Sequence, residues 1–91
     1  MEKDEHAVVT VTGADHPGIV ASVTQTLADL NVNIEDISQT VASGFFTMIL
    51  IASLQGTQVE DLRDALNDAA EDEGVEIIVQ HRDLFEHMHR I

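Results

Sequence analysis

The residues with the clearest chemical potential lie in one short stretch, Gly13 to Gly18, which reads Gly-Ala-Asp-His-Pro-Gly. Gly13 can turn the chain sharply, because a residue without a Cβ adopts backbone conformations that others avoid. Pro17 suits the first position of a helix, where its missing N–H would be unpaired in any case. Asp15 precedes that position, so its carboxylate can accept from free N–H groups at the positive end of the helix dipole. The helix start beside Gly18 therefore either holds a small anionic ligand or is a capped turn that binds nothing.

The same stretch offers little support for catalysis. Asp15 could form an acid–base pair with His16 or Asp36. However, the sequence supplies no third group to orient such a pair, no serine or cysteine nucleophile in a recognisable setting and no glycine-rich phosphate loop. We therefore predict that the protein is not an enzyme and needs no cofactor. His16 is then either a solvated loop residue or a contact of the ligand.

The histidines near the C-terminus form a candidate metal site with unfavourable spacing. His81, His87 and His89 lie close to Glu86 in the sequence. Residues two positions apart on a helix do not face each other, so His87 and His89 would point to nearly opposite sides. The chain also has no cysteine, which removes thiolate ligands and disulfides. We therefore predict no metal site.

Acidic residues dominate the charge of the chain. Seventeen Asp and Glu against four Lys and Arg give a net charge of −13 in 91 residues. Such a surface repels nucleic acid phosphates and anionic membranes, so we expect neither as a direct partner. No run approaches membrane-spanning length and the N-terminus is unlike a secretory signal, which predicts a cytoplasmic protein. Dispersed acidity suits a salt-rich cytoplasm, where high ionic strength screens the self-repulsion, so we expect a halophilic source.

Hydrophobic periodicity divides the chain into strands and helices. Strands are predicted over 6–12, 33–41, 45–52 and 75–80, and helices over 17–30 and 57–73. The second strand is rich in polar residues and is expected at an edge of the sheet or against a partner. Within it Ile34 and Ile37 lie three apart, so a bulge near Glu35 or Asp36 is needed to put both on the core side.

The predicted helix ends rest on local signals. Thr57 and Glu60 match a capping box at the start of the second helix. Asn31 and Gly74 are expected to close the two helices in the left-handed conformation. A further short helix is predicted over about 83–90, begun by Asp83. Its apolar residues share one side, namely Leu84, Phe85, Met88 and Ile91.

The order of elements predicts the fold class. Strand, helix, strand, strand, helix, strand indicates an α+β, ferredoxin-like sandwich with one four-stranded antiparallel sheet and both helices on one face. A single domain would span 1–91, with its core over about 6–81. The strand 45–52 is apolar on both sides, so its second side needs a cover, either the terminal helix or a second subunit.

The chain resembles the ACT domain family of small regulatory modules. The run from Thr10 to Val20 resembles the family's first strand, its Asp-x-Pro-Gly turn and its helix start. Leu30-Asn31-Val32-Asn33-Ile34 resembles the helix end and the Asn-Ile step into the second strand. The segments 33–40 and 84–91 resemble a narrower group, the single-domain proteins called UPF0237.

The resemblance implies a regulatory homodimer that binds an amino acid or a similar small molecule where two subunits meet. Asp15, Pro17 and Gly18 would line this site, and Asn33 and Ile34 would face it across the dimer. The residues themselves fit a zwitterion. N–H groups at the helix start can hold its carboxylate. Carbonyl or carboxylate oxygens can accept from its ammonium group, the candidates being Asp15, Asp36 and Asn33, and Gln39 can both donate and accept.

One alternative function of a different class stays open. The protein could be a non-catalytic interaction module that docks an enzyme or a transcriptional regulator without a small ligand. The acidic outer face of the helix over 57–73 is then either solvated surface or a docking site for a basic partner. An enzyme would instead require turnover that depends on Asp15 or Asp36.

Overall fold

Six regular elements follow one another in the predicted order in the computed structural model, which describes residues 5–82. The strands are β1 (His6–Ala14), β2 (Asn33–Ala42), β3 (Phe45–Ser53) and β4 (Glu76–His81), and the helices are α1 (Ile19–Asp29) and α2 (Val59–Glu73). The ferredoxin-like order is therefore confirmed. The predicted helix over 83–90 lies outside the described residues.

The sheet positions every other element. Its strand order is β2-β3-β1-β4, and β1 pairs antiparallel with both β3 and β4. Antiparallel pairing with β3 places β2 at one edge, as its polar sequence predicts. Because the strands are antiparallel, the β1–α1 turn and the β2–β3 turn lie at the same end of the sheet, where Ala14 pairs with Phe45.

One side of the sheet, here called the helix face, packs against both helices. Aliphatic side chains dominate this core, as a composition with three Phe and no Trp or Tyr requires. The strands contribute Ala7, Val9, Val11, Phe46, Met48, Leu50, Ala52, Ile77 and Val79, and the helices contribute Ile19, Val23, Leu27, Leu62, Leu66 and Ala69. Alternation along each strand sends the intervening side chains to the opposite side.

That opposite side, here called the open face, carries exposed apolar residues. Ser38, Ile49, Thr10 and Ile78 form one uncharged row across the four strands. Ile49 and Ile78 are 41% and 49% exposed, and Phe45 on the same face is 55% exposed. That the terminal helix or a second subunit covers this side of β3 therefore stays a prediction.

A bulge in β2 is present where the sequence predicts it. The register with β3 shifts between Ile34 and Asp36, so Ile34 pairs with Ala52 and Ile37 pairs with Leu50. Both isoleucines thus lie on the helix face. Ile34 packs against the core, but Ile37 remains 41% exposed.

The predicted ends of both helices are confirmed, and the predicted start of α2 is corrected. Asn31 and Gly74 adopt positive φ values of 61° and 69°. The capping box at Thr57 is wrong, because α2 has Gln58 as its N-cap and no side-chain cap. The N–H of Thr57 donates to the carbonyl of Leu54 at 2.9 Å, and its hydroxyl donates to the carbonyl of Leu30 at 2.8 Å. Thr57 therefore ties the start of α2 to the end of α1.

Candidate ligand site at the start of α1

The first turn of α1 begins two residues later than the sequence predicts. Gly18 is the N-cap, with φ 100° and ψ −11°, and the helix starts at Ile19. A left-handed residue cannot continue a right-handed helix, so Pro17 lies in the preceding turn and not at the first helical position. The freedom of a residue without a Cβ is used at Gly18, where the chain enters the helix.

Gly13 does not form the sharp turn that the sequence predicts. It lies within β1, pairs with Phe46 and is absent from the positive-φ residues. A Cβ added to it would come within 2.9 Å of Val75 Cγ1. Gly13 is therefore required by the close approach of Val75, just before β4, and not by a sharp turn.

Asp15 does not cap α1. Its backbone N–H donates to the carbonyl of Gly44 at 2.9 Å, which ties the β1–α1 turn to the β2–β3 turn. Its side chain is exposed, and no side chain among residues 5–82 caps the helix start. The first turn of α1 also contains no acidic residue. The N–H groups there therefore meet neither a capping oxygen nor a carboxylate of their own turn.

His16 joins the turn to the end of α2. Its Nδ1 lies 2.9 Å from the carbonyl oxygen of Pro17, and its Nε2 lies 2.6 Å from that of Glu73. The Glu73 carboxylate is 3.9 Å from Nδ1. These two carbonyls, first that of Glu73 and then that of Pro17, raise the pKa of His16 above 6.5, and the charges of Glu73 and Asp15 act in the same direction.

Glu73 is a site residue that sequence reasoning missed. A Cβ placed on Gly18 would lie 3.7 Å from Glu73 Oε1, so this carboxylate stands beside the start of α1. No local motif identifies it, because 57 positions separate it from His16. The available signal was topological: α2 ends at Gly74 and leads into β4, which pairs with β1.

The predicted residues of β2 are not gathered at this site within one protomer. Asn33 pairs with Ser53, which pairs with His6, so Asn33 and Ile34 lie at the opposite end of the sheet from the turn. The nine residues of β1 span the distance between the two ends in eight steps of ~3.3 Å, which is roughly 26 Å.

The other two predicted residues of β2 lie on different faces. Asp36 pairs with Ile51 on the open face, and its carboxylate accepts from the N–H of Ile37 at 2.9 Å. Gln39 pairs with Met48 on the helix face. One ligand beside a single protomer could not contact both side chains.

Metal ligands do not cluster in the described part of the chain. Residues 5–82 contain no group of three His, Asp or Glu side chains that could hold an ion. His81 Nε2 lies 3.4 Å from a carboxylate oxygen of Glu5. The other residues of the candidate metal site, His87, His89 and Glu86, lie outside the described residues. Within the same range, no helix has both the length and the apolar character needed to cross a bilayer.

Comparison with known proteins agrees with this architecture. A family model described as ACT domain matches residues 5–80. A UPF0237 protein of Methanopyrus kandleri is 51% identical over an alignment of 87 positions that covers 93% of this chain and 97% of that protein. The solved structure of an ACT domain protein from Streptococcus pneumoniae superposes with a TM-score of 0.81 at 38% identity, covering 92% of this chain and 97% of that one.

A third comparison is with a larger regulatory protein. The regulatory subunit of aspartate kinase from Thermus thermophilus, solved in a ligand-free form, gives a TM-score of 0.68 at 26% identity. The match covers 86% of this chain and 52% of that one. The fold is thus that of an ACT domain. The chain belongs to the ACT domain family and, within it, is related to the UPF0237 proteins.

Proposed function

We propose that this protein is a regulatory ACT domain that binds an amino acid or a similar small molecule where two copies of the chain meet. The observation that carries the proposal is the first turn of α1, which has no acidic residue and no side-chain cap among residues 5–82. The chain as a whole has a net charge of −13. The first turn of α1 therefore offers N–H groups to a carboxylate without an acidic side chain of its own, while Asp15 and Glu73 lie beside it.

The surroundings of that turn suit the other end of an amino acid. The side chain of Asp15 is exposed beside the turn, and the Glu73 carboxylate stands next to Gly18. Both are acceptors that an ammonium group requires. N–H donors for the carboxylate and carboxylates for the ammonium group, at the same turn, make a zwitterion the best-matched ligand class.

The edge strand β2 supports the homodimer. Its outer edge has no paired strand among residues 5–82, and nine of its ten residues are exposed. On the helix face it carries Ile37 and Val41, which are 41% and 54% exposed. Exposed strand edges with apolar side chains are templates for pairing with another chain. Burial of these two side chains would favour association.

Dimerisation through β2 would also complete the site. If two β2 strands pair antiparallel, the first residues of one strand lie beside the last residues of the other. The last residues of β2 lie at the same end of the sheet as the β1–α1 turn. Asn33 and Ile34 of a second copy would then approach the β1–α1 turn, which accounts for their distance from it in one protomer.

The regulatory assignment follows the family and not a catalytic geometry. The aspartate kinase subunit described above is named as regulatory, and in our proposal this chain likewise binds without turnover. We also propose a cytoplasmic location and a salt-rich environment, on the grounds of charge given above.

Thermal melting in high salt with each of the twenty amino acids tests the proposal. A ligand at ten times its Kd adds about 1.4 kcal/mol to the free energy of unfolding, on the order of 5–10 °C for a chain of this size. We expect a shift with one amino acid or a few related ones, and a dimer by light scattering. Asp15→Ala should abolish the shift, whereas Asp29→Ala, at the far end of α1, should retain it. A monomer, or no shift with any amino acid, would contradict the proposal.

The exposed apolar residues of the open face support a second candidate function, that of an interaction module. Phe45, Ile49 and Ile78 are large, apolar and exposed on a face whose central row has no charge. Exposed apolar patches of this kind mark protein contacts. An enzyme or regulator docked there would need no small ligand.

Substitutions at the two places separate the two functions. A partner protein that is retained by the wild type should still be retained by Asp15→Ala and lost on Ile49→Asp. Stabilisation by an amino acid should respond in the opposite way. Loss of both properties with Asp15→Ala alone would show that docking depends on the ligand.

A further inference from the structure

The two ring nitrogens of His16 both face backbone carbonyl oxygens. Nδ1 is 2.9 Å from the oxygen of Pro17 and Nε2 is 2.6 Å from the oxygen of Glu73. A carbonyl oxygen can only accept, and a neutral imidazole has only one N–H. Both contacts are hydrogen bonds only if the ring carries two protons, so the arrangement selects the imidazolium form.

We propose that His16 is a positioning residue of the ligand site, held as an imidazolium that ties the β1–α1 turn to the C-terminal end of α2. The inference rests on the proposed function for its consequence, since the turn leads directly into the helix start that would bind the carboxylate. His16 itself would not contact the ligand, because both of its donors are already used.

The charges around the ring favour the cation. The last turn of α2 has no basic residue, and the carbonyl of Glu73 lies at the negative end of the helix dipole. From α2 the Glu73 carboxylate faces the ring, and from the β1–α1 turn Asp15 acts on it. The first turn of α1 contributes no acid. His16 thus supplies from the turn the positive charge that α2 lacks at its own end.

The arrangement predicts a dependence on pH. Hydrogen bonds to the carbonyls of Glu73 and Pro17 raise the pKa of His16 above 6.5. A group whose pKa is raised on folding contributes stability that is complete below its unfolded pKa and is lost as the pH rises through the folded pKa. Above that pH the ring keeps one donor, and one of the two carbonyls loses its partner. The pair of contacts by which the ring joins the turn to α2 is then incomplete.

The first test needs no ligand. Titration of the His16 ring protons by NMR, assigned by their loss in His16→Gln, should give a pKa above 6.5. The amide signals of Gly18 and Ile19 should move with the same midpoint, because the ring holds the turn. A midpoint at or below 6.5, or amide signals that ignore this titration, would overturn the proposal.

The second test compares two variants. His16→Arg keeps a cation with several donors that do not titrate near neutrality, and His16→Gln removes the charge. As the pH rises through about 5 to 8, where histidine side chains change charge, the melting temperature of the wild type should fall relative to that of His16→Arg. It should converge on that of His16→Gln as the pH rises. Parallel profiles for all three proteins would contradict a protonated link.

A binding experiment tests whether the His16 contacts affect the ligand site. With glycine as the probe, the smallest zwitterionic amino acid, affinity for the wild type should fall several-fold as His16 loses its proton. Affinity for His16→Arg should stay level. Failure of glycine and of all other amino acids to bind would remove the proposed function, while the NMR titration would still decide the state of His16. A bound amino acid whose affinity ignores the His16 titration would overturn the positioning role alone.

Discussion

The two helices of this domain begin in opposite electrostatic surroundings. The first turn of α2 contains Glu60 and Asp61, so the positive end of its dipole is met by its own carboxylates. The first turn of α1 contains no acid and is preceded by Gly18. Because the chain carries 17 acidic residues, a helix with none in its own first turn is distinctive, even with the Glu73 carboxylate of α2 beside Gly18. The difference indicates which helix start has room for an external anion.

The two helix starts also differ in how they are held. The turn before α1 is tied to remote elements, by the Asp15 N–H to the Gly44 carbonyl and by His16 to the end of α2. The start of α2 depends on nearby carboxylates and on a hydroxyl contact to α1. The start of α2 thus combines carboxylates of its own first turn with a contact to α1, whereas the candidate ligand site is positioned by remote contacts and keeps its own N–H groups available.

The largest expected effect on stability comes from the close packing of Gly13, in the strand that leads to α1, against Val75. Gly13→Ala would place a Cβ within 2.9 Å of Val75 Cγ1, a branched side chain close to its own backbone. We expect overpacking to lower the free energy of unfolding by about 1–3 kcal/mol, measured by urea denaturation.

A double-mutant cycle provides the control for that prediction. Val75→Ala removes Cγ1, the atom at 2.9 Å, and leaves Cβ and Cα at 3.2 and 3.3 Å, so Gly13→Ala should cost less in the Val75→Ala background. Equal costs in both backgrounds would mean that Gly13 is needed for its backbone conformation and not for the close approach.

The next effect concerns the start of α2. Thr57→Val keeps the shape of the side chain but removes the hydroxyl that donates to the Leu30 carbonyl at 2.8 Å. Loss of this hydrogen bond should cost about 1 kcal/mol, and Thr57→Ser should retain most of it. A capping box would instead couple Thr57 to Glu60. We therefore expect the effects of Thr57→Val and Glu60→Gln to add, and a coupling energy above about 0.5 kcal/mol would restore the capping box.

Signals within a few residues predicted most of the fold. The helix ends at Asn31 and Gly74 follow from conformations that these residue types tolerate. The bulge before Asp36 follows from the spacing of two isoleucines on one strand. Each of these inferences depends on the chain's immediate neighbourhood, where residue type and spacing restrict the backbone directly.

Contacts between distant residues account for the errors at the site. Gly13 resembles a turn glycine until Val75 is seen to pack against it. Thr57 resembles a cap in the sequence, but its hydroxyl binds the carbonyl of Leu30 at the end of α1. Glu73 gives no local signal at all, since only the path from α2 into β4 brings it to the β1–α1 turn. These residues needed the tertiary structure, which no short motif contains.

The smallest expected change in stability tests the comparison between the helix starts most directly. Ala21 is exposed in the first turn of α1, and Ala21→Glu would give α1 the carboxylate that α2 already has. The helix dipole should then raise the free energy of unfolding by about 0.3–1 kcal/mol. The same carboxylate would repel that of an amino acid, so affinity should fall roughly twofold to fivefold, which corresponds to the same energy.

Opposite signs for stability and binding are the informative result. Ala21→Gln is the matched control, since it has the same size without the charge and should leave both properties close to those of the wild type. Thermal melting with and without the amino acid measures the two effects in one experiment. If Ala21→Glu stabilised the protein and left amino acid affinity unchanged, the ligand carboxylate would bind elsewhere, and the acid-free start of α1 would be only a structural difference from α2.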